Sequence, residues 1–471
     1  MVDNSTRKHT SAQATGVGCA LVKHMPSLGL NSPARMTAVG FLLLILVGTL
    51  LLMLPVSAEG DTWTPFMPAL FTATSAVTLT GLIVEDTGTY WTGFGQGVII
   101  ALIQLGGLGI MSLAALSGLV VTGKVSLKAR RTGAAEGRPM SGTGLRRTLI
   151  FTVLFTLTAE ALIALVLGLR FALGYDHSAG RSMWEGIFHS ISAFNNAGFS
   201  TESDNLMPFA ADAWILLPIA AGFIGGGLGY PVWSEIASRM RHRTSRARRM
   251  SLTARITFVS TGALLLAGTV LVACTEWEGQ LAGLPVWKKL LNAFFSGASP
   301  RTAGFNSIDY GDAHPITLMG TDLLMFIGGG SAGTAGGIKV TTAVVLLAAM
   351  ASEFRGREET TVGKRTLPDA ATRQALALAC AGFAIIILGI GAVRVFDPEF
   401  TGDQVAFEVL SAFGTAGLST GITASLSAPS QIVLCFIMYL GRIGSVTLIA
   451  ALAATTLNRR YSYPEERPFI G

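Results

Sequence analysis

Long stretches of apolar sequence constrain this chain more than any other feature. Residues 36–56 contain no charged side chain, and about 20 apolar residues are enough for a helix to cross a hydrocarbon core of about 30 Å. Further apolar runs occupy residues 94–122, 148–173, 212–238, 253–275, 316–352, 374–396 and 429–456. Only 13% of the residues are charged, against about 25% in soluble domains. The sequence therefore predicts an all-α polytopic membrane protein.

The net charge of +6 is concentrated in connections between the apolar runs. Residues 124–147 contain seven Lys or Arg against one acid, Glu136, and residues 239–255 contain seven Arg and no acid. Basic loops of this kind remain on the cytoplasmic side of a membrane. We therefore expect both loops and both termini to be cytoplasmic in a multi-pass protein of the plasma (inner) membrane. No aromatic–basic module accompanies the charge, so nucleic-acid binding is not expected.

Four short segments repeat one pattern, in which a Phe stands ten residues before a Gly. They are FTATSAVTLTGL (71–82), FHSISAFNNAGF (188–199), FFSGASPRTAGF (294–305) and FEVLSAFGTAGL (407–418). Each follows about 10–14 mildly apolar residues, too few to span a bilayer, and lies between two long apolar runs. Irregular backbone at membrane depth is stable only where it is buried in protein or lines water. We expect four helix–pore loop–helix repeats, eight spans in all, around a central pore.

The repeat pattern also predicts the boundaries of the chain's parts. In order, these are a cytoplasmic N-terminal tail (1–35), repeat 1 (36–123), a basic cytoplasmic loop (124–147), repeat 2 (148–238), a second basic loop (239–252), repeat 3 (253–352), a cytoplasmic loop (353–373), repeat 4 (374–457) and a C-terminal tail (458–471). Acidic residues flank the pore loops on the side away from the basic loops: Glu85, Asp86, Glu202, Asp204, Asp309 and Asp312. The pore loops are therefore expected to open to the outside.

The repeated Gly is suited to binding a dehydrated cation. Such an ion needs oxygen ligands, which rings of backbone carbonyls supply, and Gly easily adopts the positive φ that aims successive carbonyls at one axis. The short helices before the loops would direct the negative ends of their dipoles at the pore. The predicted selectivity filter consists of Thr78, Leu79, Thr80, Gly81, Asn195, Asn196, Ala197, Gly198, Arg301, Thr302, Ala303, Gly304, Gly414, Thr415, Ala416 and Gly417. Four ordinary Gly-containing helix turns are the alternative interpretation.

These repeats resemble the Trk/Ktr/HKT superfamily of potassium transporters, and the resemblance covers residues 36–471. The segment GGGSAGTAGGIKVTT (328–342) and the ending YPEERPFIG (463–471) are similar to the Ktr membrane subunit. This resemblance implies potassium uptake through a channel-like pore, a homodimer with the C-terminal tail at its interface, and a cytoplasmic ring of nucleotide-binding regulatory subunits of RCK type. It further implies sodium as a coupling or activating ion, and Gly81 matches the potassium-selective pattern.

The apolar run 316–352 is too long for one span, since a single helix of that length would extend about 55 Å. Its centre contains Gly328, Gly329, Gly330, Ser331, Gly333, Thr334, Gly336 and Gly337. Consecutive glycines destabilise a helix. We interpret this segment as a flexible intramembrane gate below the filter; small residues for close helix packing are the alternative.

Arg442 lies in the middle of the last apolar run, beyond the reach of snorkelling to either surface. A charge at that depth faces a bundle interior or a wet cavity. By the family resemblance Arg442 narrows the pore under the filter, as part of the gate. An ion pair with Glu160, also mid-span, is an interpretation that remains open beside it. A pair between Asp322 and Arg301, bracing the third loop, is a further hypothesis.

Other functions are less consistent with the sequence. The six His residues show no zinc spacing and no Ser–His–Asp set is visible, so an enzyme is not expected. No cofactor is expected on this chain; potassium at the filter is the only predicted metal. A secondary transporter for a small solute would also use broken helices at the midplane, but with inverted, pairwise repeats. A scaffold or receptor would not need four re-entrant loops.

Overall fold

The computed structural model describes residues 33–60, 62–109, 142–241, 250–330, 333–357, 359–363 and 365–454. These residues are mostly helical. Several predicted features lie outside the described residues, wholly or in part: the tails 1–32 and 458–471, the basic segments 124–141 and 242–249, and Ser331.

The described helices contain between 12 and 33 residues. They are α1 (Pro33–Leu52), α2 (Phe66–Thr78), α3 (Gly93–Leu108), α4 (Gly142–Gly174), α5 (Ala179–Phe194), α6 (Ala213–Leu228), α7 (Tyr230–Arg241), α8 (Leu252–Thr275), α9 (Val286–Ala298), α10 (Pro315–Phe326), α11 (Val340–Phe354), α12 (Asp369–Phe396), α13 (Gly402–Gly414) and α14 (Ala428–Ala454). Short 3₁₀ turns lie at Pro55–Ser57, Met207–Phe209 and Thr423–Ser425. Strands β1 (Thr361–Val362) and β2 (Arg365–Thr366) pair antiparallel between α11 and α12.

A short helix immediately precedes each of the four Phe–Gly loops. These helices, α2, α5, α9 and α13, contain 13, 16, 13 and 13 residues, so each is only about 20–24 Å long. Their starts are set by local sequence: Thr401 and Gln404 form a capping box at α13, and Ser178 Oγ accepts a hydrogen bond from the Arg181 backbone at α5. The short helices predicted from the sequence are thus observed.

The helices that follow the loops differ in where they end. Helix α10 ends at Phe326 and α11 begins at Val340, which confirms the predicted break in the run 316–352. The run 212–238 is also not one helix, a break that the sequence pattern did not predict. Helix α6 ends at Leu228, Gly229 has φ 82°, and α7 follows. By contrast, α14 is continuous over Ala428–Ala454.

Packing between the repeats closes a cycle. Helix α3 packs against α5, α6 against α9, α10 against α13, and α14 against α2. The helix after each loop therefore contacts the short helix of the next repeat, and the last repeat returns to the first. This order brings the four loops to a common centre.

The outward surface of the helices is strongly apolar. Leu50, Leu173 and Leu388 are 66%, 81% and 73% exposed. Among the described helices, three are long and apolar enough to cross a membrane: Ile150–Gly174, Leu252–Thr275 and Asp369–Phe396. An apolar surface of this extent is suited to contact with lipid.

Candidate functional site

The glycine of each repeat has a left-handed backbone. Values of φ are 90° at Gly81, 73° at Gly198, 74° at Gly304 and 82° at Gly417. Residues with a side chain rarely adopt this conformation, whereas Gly does so at little cost. The sequence prediction that the repeated Gly supplies positive φ is therefore confirmed at all four positions.

The four glycines meet in a ring. A Cβ atom placed on Gly81 would overlap the carbonyl oxygen of Ala197, and one placed on Gly417 would overlap that of Thr80. A Cβ on Gly198 would lie 2.7 Å from the Cα of Gly304. One on Gly304 would lie 2.8 Å from the carbonyl oxygen of Ala416. Each glycine thus packs against the loop of the next repeat, in the order 1, 2, 3, 4 and back to 1, with no room for a side chain.

A second left-handed residue stands two positions before each glycine, and here the residue is not Gly. The residues and their φ values are Leu79 (61°), Asn196 (58°), Thr302 (83°) and Thr415 (49°). Asn tolerates this region, but a β-branched residue is strained there. Sequence reasoning assigned these residues to the filter without anticipating their backbone, because only Asn196 carries a compositional signal for it.

Each loop is fastened to the end of its own short helix by a backbone hydrogen bond. The amides of Thr80, Ala197 and Ala416 donate to carbonyls five residues earlier, each at 2.8 Å. In the third loop the Ala303 amide donates to Ser299, four residues earlier, at 2.9 Å. The spacing from the accepting serine to the glycine is therefore five residues in the third repeat and six in the other three.

The one-residue difference also changes which phenylalanine of the third repeat is equivalent to those of the other repeats. Phe71, Phe188 and Phe407 are fully buried, and in the third repeat the fully buried ring is Phe295, while Phe294 is only partly buried. The alignment of Phe294 with the other three phenylalanines is wrong by one residue.

A buried acid lies behind the second loop. The Glu160 carboxylate accepts hydrogen bonds from Asn195 Nδ2 at 3.0 Å and Gln104 Nε2 at 3.3 Å. Asn195 Nδ2 also donates to Gln104 Oε1 at 3.0 Å. Glu160 thus connects the second loop to α3 of the first repeat. Two side-chain amides therefore hold the carboxylate, and a pair with Arg442 stays an open interpretation.

A buried cation lies behind the third loop. Arg301 is 8% exposed, and its guanidinium donates to the backbone carbonyl of Thr261 at 3.4 Å and to the Thr261 hydroxyl at 3.2 Å. Asp322 does not brace this guanidinium. Within the described part of the chain, Asp322 Oδ1 is buried without a hydrogen-bond partner. The hypothesis of an Arg301–Asp322 pair is wrong, because the side chain of Arg301 turns to α8 instead.

Backbone hydrogen bonds join the two ends of the glycine-rich segment between α10 and α11 and form a neck. The Gly328 amide donates to Ile338 at 2.9 Å, and the Val340 amide donates to Gly329 at 3.1 Å. Ile327 and Ile338 form an isolated bridge across the same neck. The end of α10 and the start of α11 are therefore held together at this neck.

Residues of the glycine-rich segment bond to the C-terminal end of α6. The amides of Gly330 and Thr334 donate to the carbonyls of Gly227 and Gly226 at 2.9 and 3.4 Å. Those carbonyls belong to the last turn of α6, where the usual donors four residues later are missing. The Gly226 oxygen also accepts from the Gly229 amide at 3.2 Å. Gly333 packs so closely on the same turn that a Cβ would lie 2.8 Å from the Gly227 oxygen.

The same segment touches the ring from below. Asn196 Nδ2, in the second loop, donates to Thr334 Oγ1 at 2.7 Å. Gly336 packs directly against Thr415 Oγ1 of the fourth loop. Gly337 has φ 60°, and a Cβ placed there would lie 3.3 Å from the Cα of Gly414. The glycine-rich segment is thus in contact with two of the four loops.

Arg442 joins this segment to two further helices. From α14 its guanidinium donates to the carbonyl oxygen of Thr334 and to that of Gly106 in α3, the latter at 3.3 Å. Lys339 donates to Ala335 at 2.5 Å, on the same side of the segment. Thr334 consequently accepts from Asn196 and Arg442 and donates to α6. Two cationic side chains therefore lie at the segment, and Lys339 is one that sequence reasoning missed.

Several acids on the outer flanks stabilise turns or form ion pairs. Asp86 accepts from the Gly88 amide at 2.7 Å, and Asp309 accepts from the Gly311 amide at 2.8 Å. Arg181 lies 3.7 Å from Glu202. Partial burial is the main cause that raises the pKa of the Glu202 carboxyl, followed by the neighbouring negative charge of Glu185. These acids place negative charge beside the loops while they also fix loop shape.

The geometry brings together backbone carbonyls, not side-chain ligands. Among the described residues no cluster of His, Cys, Asp and Glu is arranged to hold a metal ion. The four short helices end at the ring, so their carbonyl ends face it. Such an arrangement can coordinate a cation that has lost its water.

Comparisons with known proteins agree with this fold. The family TrkH, described as cation transport protein, matches residues 16–459. The Ktr system potassium uptake protein B of Bacillus subtilis is 39% identical over 446 residues, covering 93% of this chain and 97% of that protein. The potassium/sodium uptake protein NtpJ of Enterococcus hirae is 35% identical over 446 residues, with the same coverage.

A solved structure is similar in architecture. The crystal structure of the potassium transporter TrkH from Vibrio parahaemolyticus matches with a TM-score of 0.70 and 19% identity, covering 93% of this chain and 88% of that one. At this identity the likeness concerns the fold alone. Together with the match over nearly the whole sequence, it leads to one conclusion: the chain belongs to the TrkH family of cation transport proteins.

Proposed function

We propose that this chain is the membrane subunit of a potassium uptake system and conducts the ion through a single pore. The observation that carries the proposal is the ring of Gly81, Gly198, Gly304 and Gly417, each left-handed and each packed on its neighbour. Relatives of 39% and 35% identity are named as potassium and potassium/sodium uptake proteins. The chain is a transporter and not an enzyme.

In this proposal the segments 78–81, 195–198, 301–304 and 414–417 form the selectivity filter. Their carbonyls replace the hydration shell of potassium. The negative ends of α2, α5, α9 and α13 favour a cation at the centre. A rigid ring of fixed size prefers one ion over another, and the close packing of the glycines supports such rigidity.

The glycine-rich segment and Arg442 form the gate. A filter selects ions but does not stop them, so a resting cell needs a second barrier. Thr334 is hydrogen-bonded to the second loop and to Arg442, which supports a position across the path below the filter. The positive charge of Arg442 opposes a cation that leaves the filter, since little water screens it there.

The remaining parts of the proposal concern assembly. Eight spans around the pore, with basic loops 124–147 and 239–252 and both termini in the cytoplasm, follow from the charge distribution. The chain forms a homodimer through its C-terminal tail in the plasma membrane. A cytoplasmic nucleotide-binding ring of RCK type controls the gate, and sodium acts as a coupling or activating ion.

The competing proposal is a secondary transporter for a small solute. Flux of radioactive rubidium into liposomes containing the purified full-length protein separates the two. Our proposal predicts rubidium uptake that unlabelled potassium suppresses and that amino acids leave unchanged. Uptake of a labelled amino acid without rubidium uptake would reject the pore.

A further inference from the structure

Glu408 lies behind the fourth loop and has no exposed surface. It is the second residue of the FEVLSAFGTAGL motif, on the short helix α13. A carboxylate at such a position is costly unless its oxygens accept hydrogen bonds. The partners that satisfy it therefore indicate what it holds.

Those partners all come from the segment that follows the loop. Glu408 Oε1 accepts from Ser419 Oγ at 2.6 Å and from the Thr420 amide at 3.0 Å. Glu408 Oε2 accepts from Thr423 Oγ1 at 2.8 Å. Ser419 stands two residues after Gly417, so the carboxylate fastens the outer end of the fourth loop to its own short helix.

In two other repeats a serine hydroxyl fastens the outer end of the loop to the short helix. Ser192 Oγ donates to the Phe199 carbonyl at 2.7 Å, and Ser299 Oγ donates to that of Phe305. Both carbonyls belong to the residue directly after the repeated Gly. In the first repeat Ser75 Oγ accepts from the Gly81 amide at 3.0 Å. Each of these loops is thus tied by a serine near the end of its short helix.

The hydroxyl of the equivalent serine in the fourth repeat does not bond to its loop. Ser411 Oγ is buried and, within the described residues, has no hydrogen-bond partner. At the position of Glu408 the second repeat has His189, whose Nε2 lies 3.0 Å from Ser200 Oγ. Ser200 and Ser419 occupy equivalent places after the glycine. In the fourth repeat no bond from the Ser411 hydroxyl is described, and the outer end of the loop is bonded instead to a carboxylate with three donors.

We propose that Glu408 is a positioning residue for the selectivity filter, which fixes the outer end of the fourth loop by accepting hydrogen bonds from Ser419, Thr420 and Thr423. This inference rests on the filter function proposed above. The inner end of the loop is held by the Ala416 amide, which donates to Ser411 at 2.8 Å. Fixing both ends leaves the carbonyls between them with one orientation.

Loss of the hydrogen bonds to Glu408 makes the fourth loop, one of the four in the ring, more flexible. Flexible carbonyls adapt to a smaller ion more easily than fixed ones, so discrimination between potassium and sodium falls. The residue does not touch the ion; it acts through the loop that it positions.

The test measures the potassium-to-sodium flux ratio of the purified full-length protein in liposomes. We expect Glu408→Ala to lower this ratio about tenfold, an effect of the order of one hydrogen bond to a charged group. Glu408→Gln should restore most of it, because Oε1 still accepts from Ser419 and Thr420 while the amide nitrogen can donate to Thr423 Oγ1. Thr423→Val removes one of the donors to Glu408 and should lower the ratio less than Glu408→Ala does. In the double variant, Thr423→Val should cause no further decrease beyond that of Glu408→Ala.

Glu276 provides a matched control. It is 1% exposed and accepts from the His314 amide at 2.8 Å and from the Thr317 hydroxyl, so it fastens the outer ends of α8 and α10 instead of a loop of the ring. Glu276→Ala should leave the flux ratio within about twofold of the unmodified protein, even if it lowers the stability of the protein as much as Glu408→Ala does.

Three outcomes separate the claims. If Glu408→Ala and Thr423→Val keep the ratio while Gly81→Ser lowers it, the filter stands and the role of Glu408 is refuted. If Glu408→Gln lowers the ratio as far as Glu408→Ala, hydrogen-bond geometry is not what matters, and the positioning role is again refuted. If Gly81→Ser leaves the ratio unchanged, the filter proposal itself fails. Should Glu408→Ala fail to fold, Glu408→Gln and Thr423→Val still decide the matter.

Discussion

At the scale of single residues, the ring combines torsions that side chains tolerate poorly with contacts that exclude side chains altogether. Leu79, Thr302 and Thr415 have positive φ without being Gly, a conformation that costs about 1–3 kcal/mol each. Such strain persists only where the surroundings determine the backbone. Here the hydrogen bonds at the ends of the short helices and the packing of neighbouring loops do so.

Arg442 is the residue whose replacement tests the gate. Arg442→Ala removes the donor to Thr334 and Gly106 and a positive charge below the ring. We expect potassium flux per molecule to rise and to depend less on the regulatory partner. Arg442→Lys keeps the charge and can still donate to one carbonyl, so its flux should stay closer to that of the unmodified protein.

The measurement is rubidium flux normalised to the amount of reconstituted protein. Lower yield with unchanged flux per molecule would show that Arg442 only stabilises the fold, as expected of a buried charge that needs partners. In that case the gate would consist of the glycine-rich segment alone.

At the scale of elements, the break between α10 and α11 matters most. Its amides donate to two carbonyls in the last turn of α6, so the segment after Phe326 is hydrogen-bonded to the helix end at Leu228. A segment held by a few such bonds can be released without unfolding the helices around it.

Thr334 offers a smaller change within this segment. Thr334→Val keeps the shape but removes the hydroxyl that accepts from Asn196 Nδ2. A lost hydrogen bond of this kind is worth about 1 kcal/mol, so we expect a several-fold rise in basal rubidium flux. Thr334→Ser retains the hydroxyl and should behave like the unmodified protein. Equal flux in all three proteins would contradict a closed state held by this bond.

Deletion of residues 330–336 is the stronger test of the same element. The neck formed by Gly328, Ile338 and their bonds would remain, so α10 and α11 can still join. We expect high flux that no longer responds to the regulatory partner. Unchanged, partner-controlled flux would place the barrier elsewhere in the chain.

Local sequence determined these elements to different degrees. The short helices and the positive φ of the repeated glycines were predictable, because helix length and torsion depend on nearby residues. The break after Leu228 was not, because Gly226, Gly227 and Gly229 suit close packing in a helix equally well. The partners of Arg301 and Glu160 depend on contacts across repeats, which spacing along one chain does not encode. The third repeat's one-residue offset was hidden by its two adjacent phenylalanines.

At the scale of the whole molecule, four repeats are arranged in one cycle with the glycines at its centre. The chain's basic residues cluster in loops expected at one end, and acidic residues follow the first three pore loops. Attraction of cations on the acidic side and of a regulatory partner on the basic side would follow from this separation. Orientation in the membrane therefore decides whether the assembly proposal is correct.

Cysteine labelling in intact cells tests the orientation. Glu278→Cys lies in the exposed connection before α9, and Arg365→Cys lies in the exposed β-hairpin. We expect a membrane-impermeant reagent to label the first from outside and the second only after the membrane is opened. Labelling of the hairpin, or of a cysteine placed in 124–147 or 239–255, from outside would reject the topology and the cytoplasmic partner with it.

The central claim is that four glycine-centred loops form one potassium-selective ring. The potassium-to-sodium flux ratio of Gly81→Ser and Gly304→Ser in liposomes tests it most directly. A control is Gly283→Ser: Gly283 has φ 77° with nothing near the added atom, so it carries the same backbone cost of about 1 kcal/mol without touching the ring. The account predicts a lowered ratio in both ring variants and an unchanged ratio in Gly283→Ser. An unchanged ratio in both ring variants would contradict it.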